Sequence, residues 1–278
     1  MKKKKIKIIS VISAFLLSVA IVLCFAFPVL YIFGFSQGSI LKTLEKTNYY
    51  EGVRQNFLES AGDFLIPTGL PEEVLEGAFP REDVEEMVGE QIQGTESAQR
   101  IQYIETKNRT RLKENIDSYL QEIGLTEGEV SEEQVESIIN ALIGEFQNYA
   151  AFPFAAQLLR LRDVYTTLMG LVFGSCFLIG SGMIFLIYKV NRWKHILLRY
   201  LSYSCGGALW MLVLLPLAIR RIGAYERVHI SPHYVYYFFV EHIQKSLDAL
   251  IGCGIIALIC MIIFSVLSEK KRKRLIRR

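Results

Sequence analysis

The sequence has no cysteine outside four long apolar runs. Cys24, Cys176, Cys205, Cys253 and Cys260 all fall within them. That excludes a disulfide-stapled exterior, and the thiols read as small apolar packers. It also argues against animal-type four-span proteins, whose outer loops are bridged. A phosphate-binding P-loop, a haem-attachment motif, a His-Glu-x-x-His pair and a Gly-x-Ser-x-Gly elbow are missing too, which removes the commonest catalytic classes. No segment alternates apolar and polar residues between hairpin turns, so no sheet is expected. Mid-run ionisable residues and internal repeats, the marks of a secondary transporter, are absent as well.

What is present is apolar length. A hydrocarbon core of about 30 Å takes roughly 20 helical residues to cross. Residues 8–35, 164–188, 200–219 and 249–268 each meet that length without a charged side chain. The first is too long for a signal-peptide core and has no small-x-small cleavage site after it. In Ile21-Val22-Leu23-Cys24, Leu23 is too bulky for a lipoprotein box, so this run reads as a retained anchor. The expected fold class is all-α: a four-span transmembrane bundle with a helical extracytoplasmic domain between spans 1 and 2.

Charge sets the expected orientation. The basic N-terminus (1–7), the loop at 189–199 and the tail at 269–278 together hold 16 of the 31 Lys and Arg residues. Residues 36–163 carry 24 acids against 11 bases. By the positive-inside rule both termini and the 189–199 loop are cytoplasmic, while 36–163 and the 220–248 segment are outside. The expected location is a bacterial plasma membrane, with the basic segments against anionic headgroups and no nucleic acid bound. Asn108-Arg109-Thr110 is a formal glycosylation sequon, silent in most bacteria.

The acidic domain reads as helices. Val135, Ile138, Ile139, Leu142, Ile143, Phe146 and Tyr149 repeat at helical spacing. Thr126 with Glu129 and Ser131 with Gln134 supply start signals, and Pro153 ends the run. Ile101, Ile104, Leu112, Ile116, Leu120 and Ile123 outline a second helix, stopped near Gly124. A third, marked by Tyr50, Val53, Phe57 and Phe64, is expected to start near Ser39. A shorter one follows Pro80 through Val84, Met87, Val88 and Ile92. Glu82, Asp83, Glu85, Glu86 and Glu90 form one acidic cluster, and Glu127, Glu129, Glu132 and Glu133 another. Neither has the alternating oxygen ligands and central glycine of a calcium loop, so both read as solvated helix faces.

Small residues punctuate the spans: Gly170 and Gly174 with Gly180 and Gly182, Ser204 to Ala208, and Gly252 with Gly254. They allow close backbone approach within the bundle or in a homodimer. Asp248, near the outer end of the fourth span, has Lys245 and Glu241 as helical neighbours and reads as part of an interfacial ion pair.

Three of the four histidines cluster between the third and fourth spans. His229, His233, Glu241 and His242 are the candidates for a metal or acid–base site. His233 and His242 lie nine residues apart, however, about 180° round a helix. The expectation is therefore no metal and no cofactor, with these histidines and Tyr234, Tyr236, Tyr237, Phe238 and Phe239 anchoring the membrane interface. Ser231-Pro232 is expected to open a helix that continues into the fourth span.

One span, a large outer domain and three clustered spans resemble, in topology, the FtsX/MacB-like class of ABC-system membrane subunits. The resemblance implies a cytoplasmic ATPase partner, docked at Arg192, Trp193 and Lys194. Where that class carries an acid followed by an Arg-x-x-Gly-Ala-like stretch, residues 191–199 contain no acid and no Gly-Ala. The leading expectation is a non-catalytic membrane protein whose outer domain senses or binds a protein partner at the cell surface. An ABC-type transport or mechanotransmission subunit and a membrane-embedded enzyme are the alternatives.

Overall fold

A computed structural model of the protein describes residues 2–94, 98–124, 131–191 and 193–276. Thr126, Glu127, Glu129, Arg192, Arg277 and Arg278, which carry some of the expectations above, lie outside the described residues. Every regular element among the described residues is helical. The α-helices are α1 (Lys2–Leu30), α2 (Gln37–Lys46), α3 (Tyr49–Leu65), α4 (Arg81–Gln93), α5 (Ala98–Glu122), α6 (Glu132–Tyr149), α7 (Ala155–Val190), α8 (Lys194–Ile222) and α9 (His233–Ile276). Four helical stretches, built on α1, α7, α8 and α9, are long and apolar enough to cross a membrane.

The chain forms two compact units. The first comprises Met1–Ile40, Leu161–His229 and Phe239–Arg278. Its helices meet through small residues and hydroxyls. Ser204 Oγ donates to Ala14 O (2.9 Å), and a Cβ added at Gly207 would lie 3.1 Å from Ser18, so α1 and α8 approach closely. Ser202 Oγ donates to Met261 O (3.0 Å), tying α8 to α9. Asn191 Nδ2 donates to Ser10 Oγ (2.9 Å) and Tyr165 Oη to Phe27 O (3.2 Å), which fasten α7 to α1. Gly170, Gly174 and Gly182 on α7 face nothing within 4 Å among the described residues.

Past Pro28 the first span ends in a π-helical turn, Tyr31–Phe35. Such turns leave carbonyls without their usual helical donor. Here Phe33 O accepts from Ser39 Oγ (2.9 Å), and His242 Nε2 on α9 lies 2.8 Å from Gly34 O.

The second unit comprises Leu41–Arg160 and Ile230–Phe238. Its core is conventional for a water-soluble helical domain. Val53, Phe57, Ala61 and Leu65, at i, i+4, i+8 and i+12 of α3, are buried. The same core holds Val84, Val88 and Ile92 of α4, Ile104, Leu112 and Ile116 of α5, and Ile139, Leu142 and Phe146 of α6, all buried. The Phe57 ring lies 4.7 Å from Phe79, 5.2 Å from Phe146 and 6.1 Å from Tyr149. Asn115 Nδ2 holds the α3–α4 connection by donating to Val74 O (2.9 Å) and Glu76 O (2.8 Å).

Several local expectations change. The helix expected from Ser39 through Phe64 is two, α2 and α3, because Asn48 takes a left-handed conformation (φ 51°) and breaks it. The loop expected over 189–199 is helical at Lys189 and Val190, which close α7, and from Lys194 onward in α8. Tyr234 and Phe238, read as membrane-interface anchors, pack on Tyr49 (5.1 and 6.1 Å), and Phe238 also lies 5.8 Å from Phe152. Gly52 makes room for Tyr234: a Cβ there would come within 2.6 Å of Tyr234 Cβ.

Candidate functional site

In the second unit a cleft of about 720 Å³ is lined by residues of α2, α3, α4 and the start of α5. The α4 contribution follows from helix geometry. Glu82, Glu85, Glu86, Gly89, Glu90 and Gln93 fall at i, i+3, i+4, i+7, i+8 and i+11, a single face. The opposite face buries Val84, Met87, Val88 and Ile92. Gly89 carries no side chain and leaves the middle of the acidic wall open.

Asp83, expected in the same acidic cluster, belongs to the core face. It is 1% exposed and bonded to Arg111 Nη1 (2.9 Å) and Lys107 Nζ (3.4 Å). The buried Asn108 amide, oriented to satisfy its neighbours, donates to Asp83 Oδ2 (2.6 Å) and to Ala78 O (3.2 Å). Asp83 is therefore a structural carboxylate. The sequence cluster divides into one buried acid and four that line the cleft.

Glu45 of α2 adds a fifth cleft carboxylate, and Lys42 and Arg100 are the cations of the lining. Arg81 pairs with Glu45 (2.6 Å), and Arg100 pairs with Glu86 and with Glu90 (3.8 Å). Glu82 and Glu85 have no ion-pair partner among the described residues. Tyr50 is buried against the cleft, with the Arg81 guanidinium 5.9 Å from its ring centroid. Burial, and then the charges of Glu85 and Glu45, push its phenol up to about 12 against the opposing pull of Arg81. The Tyr50 hydroxyl is neutral at physiological pH with or without this shift, and the five lining carboxylates outnumber the two lining cations.

The histidines between α8 and α9 and at the start of α9 are not assembled into a site. His229 Nδ1 lies 3.3 Å from Arg227 O, His233 stands against Tyr237 with ring centroids 6.5 Å apart, and His242 is engaged by Gly34 O. Among the described residues no three His, Cys, Asp or Glu side chains are gathered as a metal ion would require, so His229, His233, Glu241 and His242 form no such group. Asp248 pairs with Arg220 of α8 (2.9 Å), a partner from another helix rather than the neighbours Lys245 and Glu241 considered from sequence.

At the far end of α9, Trp193 and Lys194, the candidate ATPase-docking residues, line a smaller pocket with His195, Lys271, Arg274 and Leu275. The sequence signals both basic clusters separately. Nothing local in it signals that they converge.

Comparison of the chain with protein-family models, curated proteins and solved structures found no match.

Proposed function

We propose that this chain is a non-catalytic integral membrane protein of a plasma membrane, with both termini cytoplasmic. Its second unit lies on the extracytoplasmic side and binds a protein partner that presents a segment of Lys or Arg side chains. The cleft carries this reading. Five carboxylates line it against two cations, and two of the carboxylates have no ion-pair partner among the described residues. A bound metal ion would need its oxygens converged at about 2.3–2.6 Å. From Glu82 to Gln93 the lining instead runs along about 16 Å of helix at 1.5 Å per residue, which suits several spaced cations. Sidedness is supported by charge: 24 acids in residues 36–163, and 16 bases in the three short segments assigned to the cytoplasm.

Two measurements test this. A membrane-impermeant maleimide applied to intact cells is expected to label a cysteine at exposed Ser118 and to spare one at exposed Lys270. The native thiols all lie in the long helices. Reversed labelling overturns the orientation. Binding of a decalysine peptide to the full chain in detergent tests the cleft. Saturable binding is expected, weakening about tenfold in the Glu82→Gln/Glu85→Gln variant at roughly 1 kcal/mol or less per exposed charge pair, and fading as salt rises. Equal binding by the variant would remove the cleft from this role.

A further inference from the structure

The smaller pocket, about 290 Å³, joins the start of α8 to the last turns of α9 within the first unit. Ser268 Oγ donates to His195 O (2.8 Å) and holds the two segments together. The lining is Trp193, Lys194, His195, Lys271, Arg274 and Leu275: three fixed cations and no carboxylate. Lys271, Arg274 and Leu275, at i, i+3 and i+4, share a face of α9. Glu269, the nearest acid in sequence, is taken by Arg272 (3.1 Å). Lys194, Lys271 and Arg274 therefore have no carboxylate partner among the described residues. His195 Nδ1 is shut off from solvent, with no hydrogen-bond partner among them. The Trp193 ring lies 6.3 Å from the His195 ring and is about half exposed.

Gathering like charges around a concavity is unfavourable unless an anion neutralises them, and buried polar atoms without partners are rare. Lys and Arg donors converging on one small volume match the several acceptor oxygens of a phosphate. The orphan amides at the start of α8 add to that field. The charge-free run of α8 begins at Tyr200 and that of α9 ends at Ser268. Lys194 and Lys271 therefore sit within about 10 Å of the apolar runs at 1.5 Å per residue, in the headgroup layer. There an amphipathic Trp is at home.

We propose that this pocket binds a phosphate group, that of an anionic phospholipid headgroup, with Lys194, Lys271 and Arg274 as its ligands and Trp193 beside them. The proposal rests on the reading that α8 and α9 cross a bilayer.

The chain holds two tryptophans, so Trp210→Phe leaves Trp193 as sole reporter. The full chain carrying that substitution, in zwitterionic detergent, is titrated with dioctanoyl phosphatidic acid, dioctanoyl phosphatidylcholine and inorganic phosphate. A saturable emission change with phosphatidic acid and none with phosphatidylcholine is expected. Half-saturation should rise about tenfold or more on adding Lys271→Gln and Arg274→Gln, with a smaller rise for Lys194→Gln alone. An equal response to inorganic phosphate at the same concentration would keep the phosphate site and assign it to the free anion. Identical responses to the two lipids, which need no further variant to read, would overturn the proposal, as would unchanged affinity in the double variant. Carbonate extraction separates the two readings. A chain that stays in the membrane pellet but ignores phosphatidic acid loses only the pocket, whereas a chain that is extracted loses its membrane spans.

Discussion

The two compact units differ in which side chains they bury and which they expose. The first shelters serines: Ser10, Ser18, Ser202 and Ser204 are buried, while Phe177 is 73% and Leu178 72% exposed. The second buries Phe57, Phe79, Ile104 and Leu112 and turns Glu82 and Glu85 outward. In water, apolar area withdrawn from solvent stabilises by about 25 cal/mol per Å², so large side chains go inside. Between lipid tails that gradient vanishes, and helices join where small residues and hydroxyls let backbones meet. A single chain thus carries two definitions of a core, and one substitution in each unit can tell them apart.

The largest contrast is between two phenylalanines. Phe57→Ala removes a ring packed on Phe79, Phe146 and Tyr149 and should cost about 4 kcal/mol. Pulse proteolysis of the second unit across a urea series, in detergent, should show the midpoint falling by about 2 M for a slope near 2 kcal/mol/M. Phe177→Ala on α7 should move the stability of the first unit by no more than about 0.5 kcal/mol. Comparable losses at the two positions would mean that the exposed face of α7 is a protein core after all.

A smaller test stays within α4, between adjacent acids. Asp83→Asn leaves the partly exposed Lys107 and Arg111 facing a neutral group and takes charge-assisted hydrogen bonds from a buried acceptor, and should cost the second unit about 2 kcal/mol. Glu82→Gln, one residue away on the cleft face, should be neutral to within about 0.5 kcal/mol by the same proteolysis assay. If the two effects were reversed, the division of α4 into a core face and a cleft-facing stripe would fail.

That division marks where the sequence stops being legible. The helical class and the four long apolar helices follow from periodicity and from runs without charge, both local properties. The core positions on α3 to α6 mostly follow too, although Phe64 and Ile123, read into the same stripes, are exposed. What escaped depends on contacts distant in sequence. Asp83 looks like its acidic neighbours until Lys107 and Arg111, a helix away, are placed beside it. Tyr234 and Phe238 look like interfacial aromatics until Tyr49 and Phe152 offer them edge-to-face partners. The acidic cluster is visible as a run, but its concavity needs Glu45, Tyr50 and Arg100 from three other helices. The break at Asn48 and the π-helical turn after Pro28 have only a weak local signature, one asparagine and one proline.

The finest comparison sets two glycines of the first unit against each other. A Cβ at Gly207 already meets Ser18 at 3.1 Å, so Gly207→Leu should force α1 and α8 apart at a cost of about 1–3 kcal/mol. Ser204→Ala, which removes the interhelical bond to Ala14 O (2.9 Å) together with the one within α8 to Tyr200 O (3.0 Å), should cost about 0.6 kcal/mol on the scale of interhelical hydroxyl bonds in membranes. A Cβ at Gly174 meets nothing within 4 Å among the described residues, so Gly174→Leu should be close to silent. Thermal unfolding in detergent, followed by the emission of Trp193 and Trp210, ranks the three. Both tryptophans lie in the first unit, so the signal reports the right core. A loss at Gly174 as large as that at Gly207 could not come from packing within this chain. It would mean that a second copy covers the Gly170-x-x-x-Gly174 face of α7, and the exposed leucines beside it would then be an interface rather than a lipid-facing surface.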